Sequence, residues 1–239
     1  MDNCTKNKIR QHFSVFMLLA GSAMKRLLLV LVGMLLAEGV VFYKVLNEML
    51  ANEAERATGV IYANGRGPAF SLETAFENGH IAGGFSIALV FFTIVLCSVG
   101  CEKGNKQGYT LKRLGVSEKG VFLLQSAYNV AAYFILWGVQ LAAVLVMCSI
   151  FLKEAPENMV SNQTVFLAFY RNEFLHSLLP LSEVSRWIRN ILLFVGMGIA
   201  AAGFPFRQRR GGWGPEIVAL GTFALIYFAK EIGAKSEFY

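Results

Sequence analysis

The pattern of apolar and polar positions divides the chain into long uncharged runs separated by shorter polar segments. Ile81 to Cys101 contains no charged residue, and neither does Val121 to Leu152. A soluble core helix rarely needs so long an uncharged run, whereas a helix crossing a bilayer needs ~20 predominantly apolar residues. A first apolar run extends from about Leu27 to Leu46, a fourth from about Ile191 to Phe206, and a short fifth from about Ile217 to Ala229. The third, beginning near Glu118 and continuing to Leu152, is longer than a bilayer requires and too short for two crossings, which predicts one tilted or projecting helix. The expected class is all-α: a polytopic helical membrane protein with about five transmembrane helices, forming a single transmembrane domain over residues 1–239.

The segments between these runs predict helices that lie along the membrane rather than across it. Ile9, Phe13, Phe16 and Ala20 recur at helical spacing, with Lys8 and Arg10 able to meet lipid headgroups, so residues 1–26 read as an N-terminal interfacial helix. The apolar patch followed by Gly21, Ser22 and Ala23 also resembles a signal peptide, but Lys25 and Arg26 follow at once and lead into a stronger apolar run. Residues 47–80 are polar and acidic, and the turn formers Ala63 to Pro68 predict two short helices around them. Val165 to Leu181 is apolar but broken by Arg171, Asn172, Glu173 and His176, which makes an outer interfacial helix or a shallow re-entrant segment. Pro180 ends it, and Ser182 is placed to cap the next helix.

Composition agrees with this class. Charged residues make up 16% of the 239-residue chain, against about 25% in soluble domains, and hydrophobic residues 55%. The net charge of +6 is distributed unevenly. On the N-terminal side of the membrane fall 13 of the 22 Lys and Arg residues and on the other side 8, with Lys44 in the first span. That excess is the positive-inside pattern. It predicts a plasma-membrane protein with the N-terminus and the 102–120 segment in the cytoplasm and the C-terminus outside. Topology therefore accounts for the positive charge, and no nucleic-acid-binding motif is present. Cys97 and Cys101 share a helix face, but no further Cys or His stands close by to complete a metal site. Free buried thiols are expected, with no metal, cofactor or disulfide. The chain has no GxxxxGK[ST], HExxH or GxSxG sequence, so no enzymatic chemistry of its own is predicted.

Two sets of residues inside the spans carry candidate function. Glu38 lies near the middle of the first span, where an acidic residue costs about 2.5–3.5 kcal/mol on insertion scales. It is expected to face the bundle interior or water, as a substrate-path or coupling residue, or as a carboxyl hydrogen-bonded to another helix. Gln125, Asn129, Tyr133 and Gln140 fall near one face of the third span. They predict either a polar lining for a path or interhelical hydrogen bonds, each worth ~0.6 kcal/mol. Gly83, Gly84 and Ser86 in the second span, and Gly196, Gly198, Ala200, Ala202 and Gly203 in the fourth, predict close helix packing.

The segment around which these runs are arranged reads EKGNKQGYTLKRLGVSEKGVFLLQ, Glu102 to Gln125. Tyr109, Leu111 and Leu114 offer apolar contacts beside Lys112 and Arg113. Ser117 is placed to cap the next helix, with Glu118 in its first turn. The segment is either a docking point for a cytosolic partner or a solvated loop that sets orientation. In its order of a basic interfacial helix, a span, an outer loop, a second span and then YTLKRLGVSEKGVFLLQ, the chain resembles the membrane subunits of type-2 ABC exporters over roughly residues 8–152. The positions that carry the resemblance are Thr110, Leu111, Leu114, Val116, Ser117 and Lys119. Members of that family usually have six spans and a cytoplasmic C-terminus, whereas five spans are expected here. The resemblance implies a permease subunit of an ABC-type transporter. Its implied partners are a cytosolic ABC ATPase subunit, and a second copy or another permease, in addition to the lipid bilayer. A non-transporting accessory, sensor or immunity protein of the membrane is the alternative.

Overall fold

The computed structural model describes residues 3–57, 70–99, 117–156, 160–161, 163–181, 183–209 and 215–228, with the side chains of part of the N-terminal helix left aside. Among these residues there are eight helices and no strand: α1 (Asn3–Ala57), α2 (Leu72–Asn78), α3 (Ile81–Ser98), α4 (Glu118–Glu154), α5 (Thr164–Arg171), α6 (Glu173–Leu178), α7 (Val184–Arg209) and α8 (Pro215–Phe228). Four of them, α1, α3, α4 and α7, are long and apolar enough to cross a membrane, and α8 is a shorter apolar helix. The protein is an all-helical membrane protein.

Proline placement explains several of the boundaries. Proline lacks an N–H and clashes with the preceding turn, so it is tolerated mainly outside helices or at their first position. Pro156 follows α4, Pro180 follows α6 and Pro215 opens α8; among the described residues only Pro205 lies in a helix interior, near the end of α7. No proline precedes Pro68, and α1 runs unbroken for 55 residues. The expected interfacial helix and first span are thus one continuous helix, and the helix also extends eleven residues past the expected end at Leu46. At 1.5 Å per residue it is roughly 80 Å long, far beyond the ~30 Å hydrocarbon core, so part of it projects from the membrane. The 37-residue α4 spans the length expected for it. Its N-terminus is capped as the sequence predicts: Gly120 donates its backbone N–H to Ser117 Oγ at 3.2 Å. The Ala63–Pro68 turn and Ser182 lie outside the described residues.

The core is mostly apolar, yet several polar side chains are buried and many large apolar ones are exposed. Glu38, Gln125, Asn129 and Gln140 are buried, while Leu29, Phe91, Leu123, Leu192 and Ile226 are more than half exposed. So many exposed large apolar side chains are unfavourable in water and suited to lipid.

The chain divides into two compact units, each drawing segments from the long helices. The first comprises Met1–Leu31, Ala88–Leu136 and Ile188–Leu225. Tyr133 of α4 is fully buried in it, its ring 5.7 Å from that of Phe92 and 6.3 Å from that of Phe194. The small residues of α7 do different work. Gly198 meets α4 at Val130, Gly196 approaches Leu220 of α8, and Gly203 faces Phe122. Ala201 and Ala202 are buried, whereas Ala200 is half-buried.

The second unit comprises Val32–Ile87, Trp137–Trp187 and Ile226–Tyr239. Phe85 is at its centre, with ring contacts to Phe174 at 6.1 Å and Phe228 at 5.2 Å. Here the segment after α4 forms two short helices, α5 and α6. Asn172 ends α5 and caps α6, its Oδ1 accepting from the Leu175 N–H at 3.0 Å. Two tryptophans fix this turn. Trp137 Nε1 donates to the Leu178 carbonyl at 3.1 Å and Trp187 Nε1 to the Pro180 carbonyl at 2.6 Å, with their rings 5.5 Å apart. Arg171 reaches Glu73 of α2 at 3.8 Å. Partial burial pushes the Glu73 carboxyl above its ordinary value, Arg171 opposes that shift, and Glu77 adds to it. Ser71 caps α2 by accepting from Thr74 N–H, and α2 turns into α3 through Gly79 and His80, the latter in the left-handed region at φ 48°.

Candidate functional site

The second unit holds a buried polar cluster made by α1, α3 and α4. Glu38 is 3% exposed and Gln140 is fully buried. Gln140 Nε2 donates to Glu38 Oε2 at 2.9 Å. Gly84 of α3 completes the cluster by having no side chain: a Cβ there would lie 3.1 Å from Glu38 Cγ and 3.2 Å from Glu38 Oε1. The α3 backbone therefore closes over the carboxylate, which accounts for a glycine at this position. Among the described residues, Glu38 Oε1 and Gln140 Oε1 have no hydrogen-bond partner. Two buried acceptor oxygens without donors cost free energy in a dry interior, and such a site gains from a proton donor or a cation.

The first unit holds the remaining members of the α4 polar stripe, each hydrogen-bonded to a different neighbour. Gln125 Nε2 donates to the Val99 carbonyl at 2.8 Å, where α3 ends. Asn129 Nδ2 donates to the Gly198 carbonyl of α7 at 3.4 Å, leaving Asn129 Oδ1 without a partner among the described residues. The Tyr133 hydroxyl shares a 2.8 Å hydrogen bond with Thr93 Oγ1, and Thr93 Oγ1 is also 2.7 Å from the Leu89 carbonyl, to which it donates. Tyr133 is then the donor to Thr93, since a threonine hydroxyl has a single proton. All four stripe residues thus make bonds to other elements: three to α3 or its end and to α7, one to α1.

The other candidate set falls elsewhere. Tyr109, Leu111, Lys112, Arg113 and Leu114 lie outside the described residues. Glu118 is exposed in the first turn of α4, next to exposed Ser117 and Lys119. His176 is buried in α6, its Nε2 3.7 Å from Glu183 Oε1 and its ring 6.1 Å from that of Tyr170. Among the described residues no three of His, Cys, Asp and Glu cluster as a metal site needs. Cys148 is a buried thiol outside any disulfide, and Cys97 is half-buried.

Several contributors were not legible in the sequence. Thr93 carries no signal distinguishing it from any hydroxyl that bonds back to its own helix. Gly84 was recognisable as a packing glycine, but its partner Glu38 is far away in the chain. Comparison with known proteins adds nothing to this geometry: no family model matches the chain, and no curated protein and no solved structure matches it.

Proposed function

We propose that this protein is a permease subunit of an ABC-type transporter, moving a substrate across the plasma membrane with ATP hydrolysed by a separate cytosolic subunit. The observation that carries this reading is the entry into α4. The sequence that resembles type-2 ABC exporter subunits, Thr110 to Lys119, leads into an apolar helix whose cap, Ser117, and first residues, Glu118 and Lys119, are exposed. A partner engaging that segment would act on the helix that carries Gln140, one half of the buried Glu38–Gln140 pair. The positive-inside bias supports a cytoplasmic location for the segment. With α8 as the fifth crossing, the N-terminus lies in the cytoplasm and the C-terminus outside.

The test is coupling. The chain should co-purify with an ATPase subunit encoded beside it, and the complex in liposomes should hydrolyse ATP faster than the ATPase alone. A chain that purifies without any such subunit, and leaves its ATPase rate unchanged, would favour the accessory, sensor or immunity reading.

A further inference from the structure

The first unit has a second feature that its polar contacts do not use. A cleft of about 510 Å³ runs between α3, α7 and α8, within the ~300–1,000 Å³ range of small-ligand sites. Ile94, Val218 and Val90 on its walls are substantially exposed, so the cleft opens sideways from the helices. In a membrane-embedded helix pack, that opening faces hydrocarbon. Its two threonines make no demand on a polar occupant: Thr93 Oγ1 is bonded to the Leu89 carbonyl and Tyr133, and Thr222 Oγ1 donates to the Val218 carbonyl at 2.8 Å.

One end of the cleft differs. Ser98, at the last turn of α3, lines it, and Arg26 Nη1 of α1 donates to Ser98 Oγ at 3.3 Å. An exposed guanidinium therefore stands where an apolar cleft reaches the basic side of the membrane. This pairing of an apolar wall with a terminal cation has the chemistry of an anionic lipid. We propose that the cleft binds one acyl chain of an anionic phospholipid, whose headgroup phosphate is held by Arg26 at the Ser98 end. A guanidinium fits phosphate as a bidentate donor, which gives the site a preference among headgroups as well as an affinity for chains. A packed partner helix would not need the cation, and a neutral lipid would not use it.

Gly221 supplies a test that leaves the fold intact. It lines the cleft, and a Cβ built on it meets nothing within 4 Å, so a leucine there grows into the open space rather than into backbone. The protein is purified in a mild detergent, supplemented with phosphatidylglycerol or phosphatidylcholine, and its bound lipid counted by native mass spectrometry. The wild type should retain phosphatidylglycerol roughly tenfold better, the effect of one charge-assisted contact worth ~1.4 kcal/mol. Arg26→Gln should abolish the preference while leaving some binding of either lipid. Gly221→Leu should lose both lipids while its thermal melt stays at the wild-type value. Equal retention of the two lipids by the wild type, or undiminished phosphatidylglycerol on Gly221→Leu, would overturn the proposal. So would efficient disulfide dimers through Thr222→Cys, which would give the cleft to a second copy of the chain.

Discussion

Gly198 of α7 sits against Val130 of α4 so closely that a Cβ on it would lie 2.5 Å from Val130 Cγ2 and 2.8 Å from its backbone nitrogen. The obstacle includes main chain, so a rotamer change in Val130 cannot relieve it. In a bilayer, helix association depends on close van der Waals packing rather than on escape from water, and this contact sets how near α4 and α7 come. Gly198→Ala should therefore force the helices apart, lengthen the Asn129–Gly198 hydrogen bond and cost about 1–3 kcal/mol. Gly138→Ala, whose Cβ meets nothing within 4 Å, should be neutral or gain up to ~1 kcal/mol of helix propensity. Thermal melts of both variants in detergent check the contrast; equal melting temperatures would remove Gly198 as the determinant.

The Glu38–Gln140 pair predicts a separation of stability from function. Glu38→Gln keeps an acceptor for Gln140 Nε2 and adds an amide donor for Gln140 Oε1, so the variant should fold at least as well as the wild type. Glu38→Leu leaves the whole buried amide of Gln140 unpaired and should lose about 1–3 kcal/mol. If Glu38 serves transport, Glu38→Gln should change its rate or its pH dependence at normal protein level. Unchanged transport across pH would leave Glu38 as a purely structural carboxyl.

Tyr133 and Thr93 should respond unequally to loss of their shared bond. Tyr133→Phe removes the donor, while Thr93 keeps its bond to the Leu89 carbonyl, so the cost should stay within ~1 kcal/mol. Thr93→Val strands the hydroxyl of a fully buried tyrosine and should cost about 1–3 kcal/mol. Chemical denaturation of the two variants measures the difference, and equal losses would argue against Tyr133 as the donor to Thr93.

For the segment before α4, the apolar side chains should matter more than the charges. Leu111 and Leu114 are three residues apart, so one helical turn would present both to the same groove. If the protein couples to an ATPase subunit, Leu111→Ala with Leu114→Ala should release that subunit while the spans still insert. Lys112→Ala alone should do less, chiefly slowing association at low salt, because a rim charge remains hydrated. Co-purification of the double variant from membranes is the measurement; full recovery of the complex would make this segment an ordinary loop.

The expected orientation has its own check. A reporter fused after Tyr239 should behave as extracytoplasmic. A cytoplasmic signal at that position would require an even number of crossings and return the chain to a six-span or four-span arrangement.

Much of this molecule is determined locally and could be read without coordinates. Uncharged runs set the spans of α3 and α4, since bilayer thickness fixes how many apolar residues a crossing needs. Ser117 as a cap and Pro180 as a terminator follow from backbone chemistry within a few residues. Burial of Glu38, Gln125, Asn129 and Gln140 was foreseeable because lipid offers polar groups no partner. What the residues alone left open was which helix each would meet. Glu38 could as well have bonded to any polar side chain of the other spans. The choice of Gln140, 102 positions away, with Gly84 packed against Glu38, is made by helix packing. The continuity of α1 was hidden for a related reason. A basic, amphipathic start followed by an apolar run reads as two elements, but with no proline to break it the backbone has no local cause to stop, and it runs from Asn3 to Ala57. The cleft beside Ser98 was equally invisible, because empty space between helices is a property of three elements at once and of no segment alone.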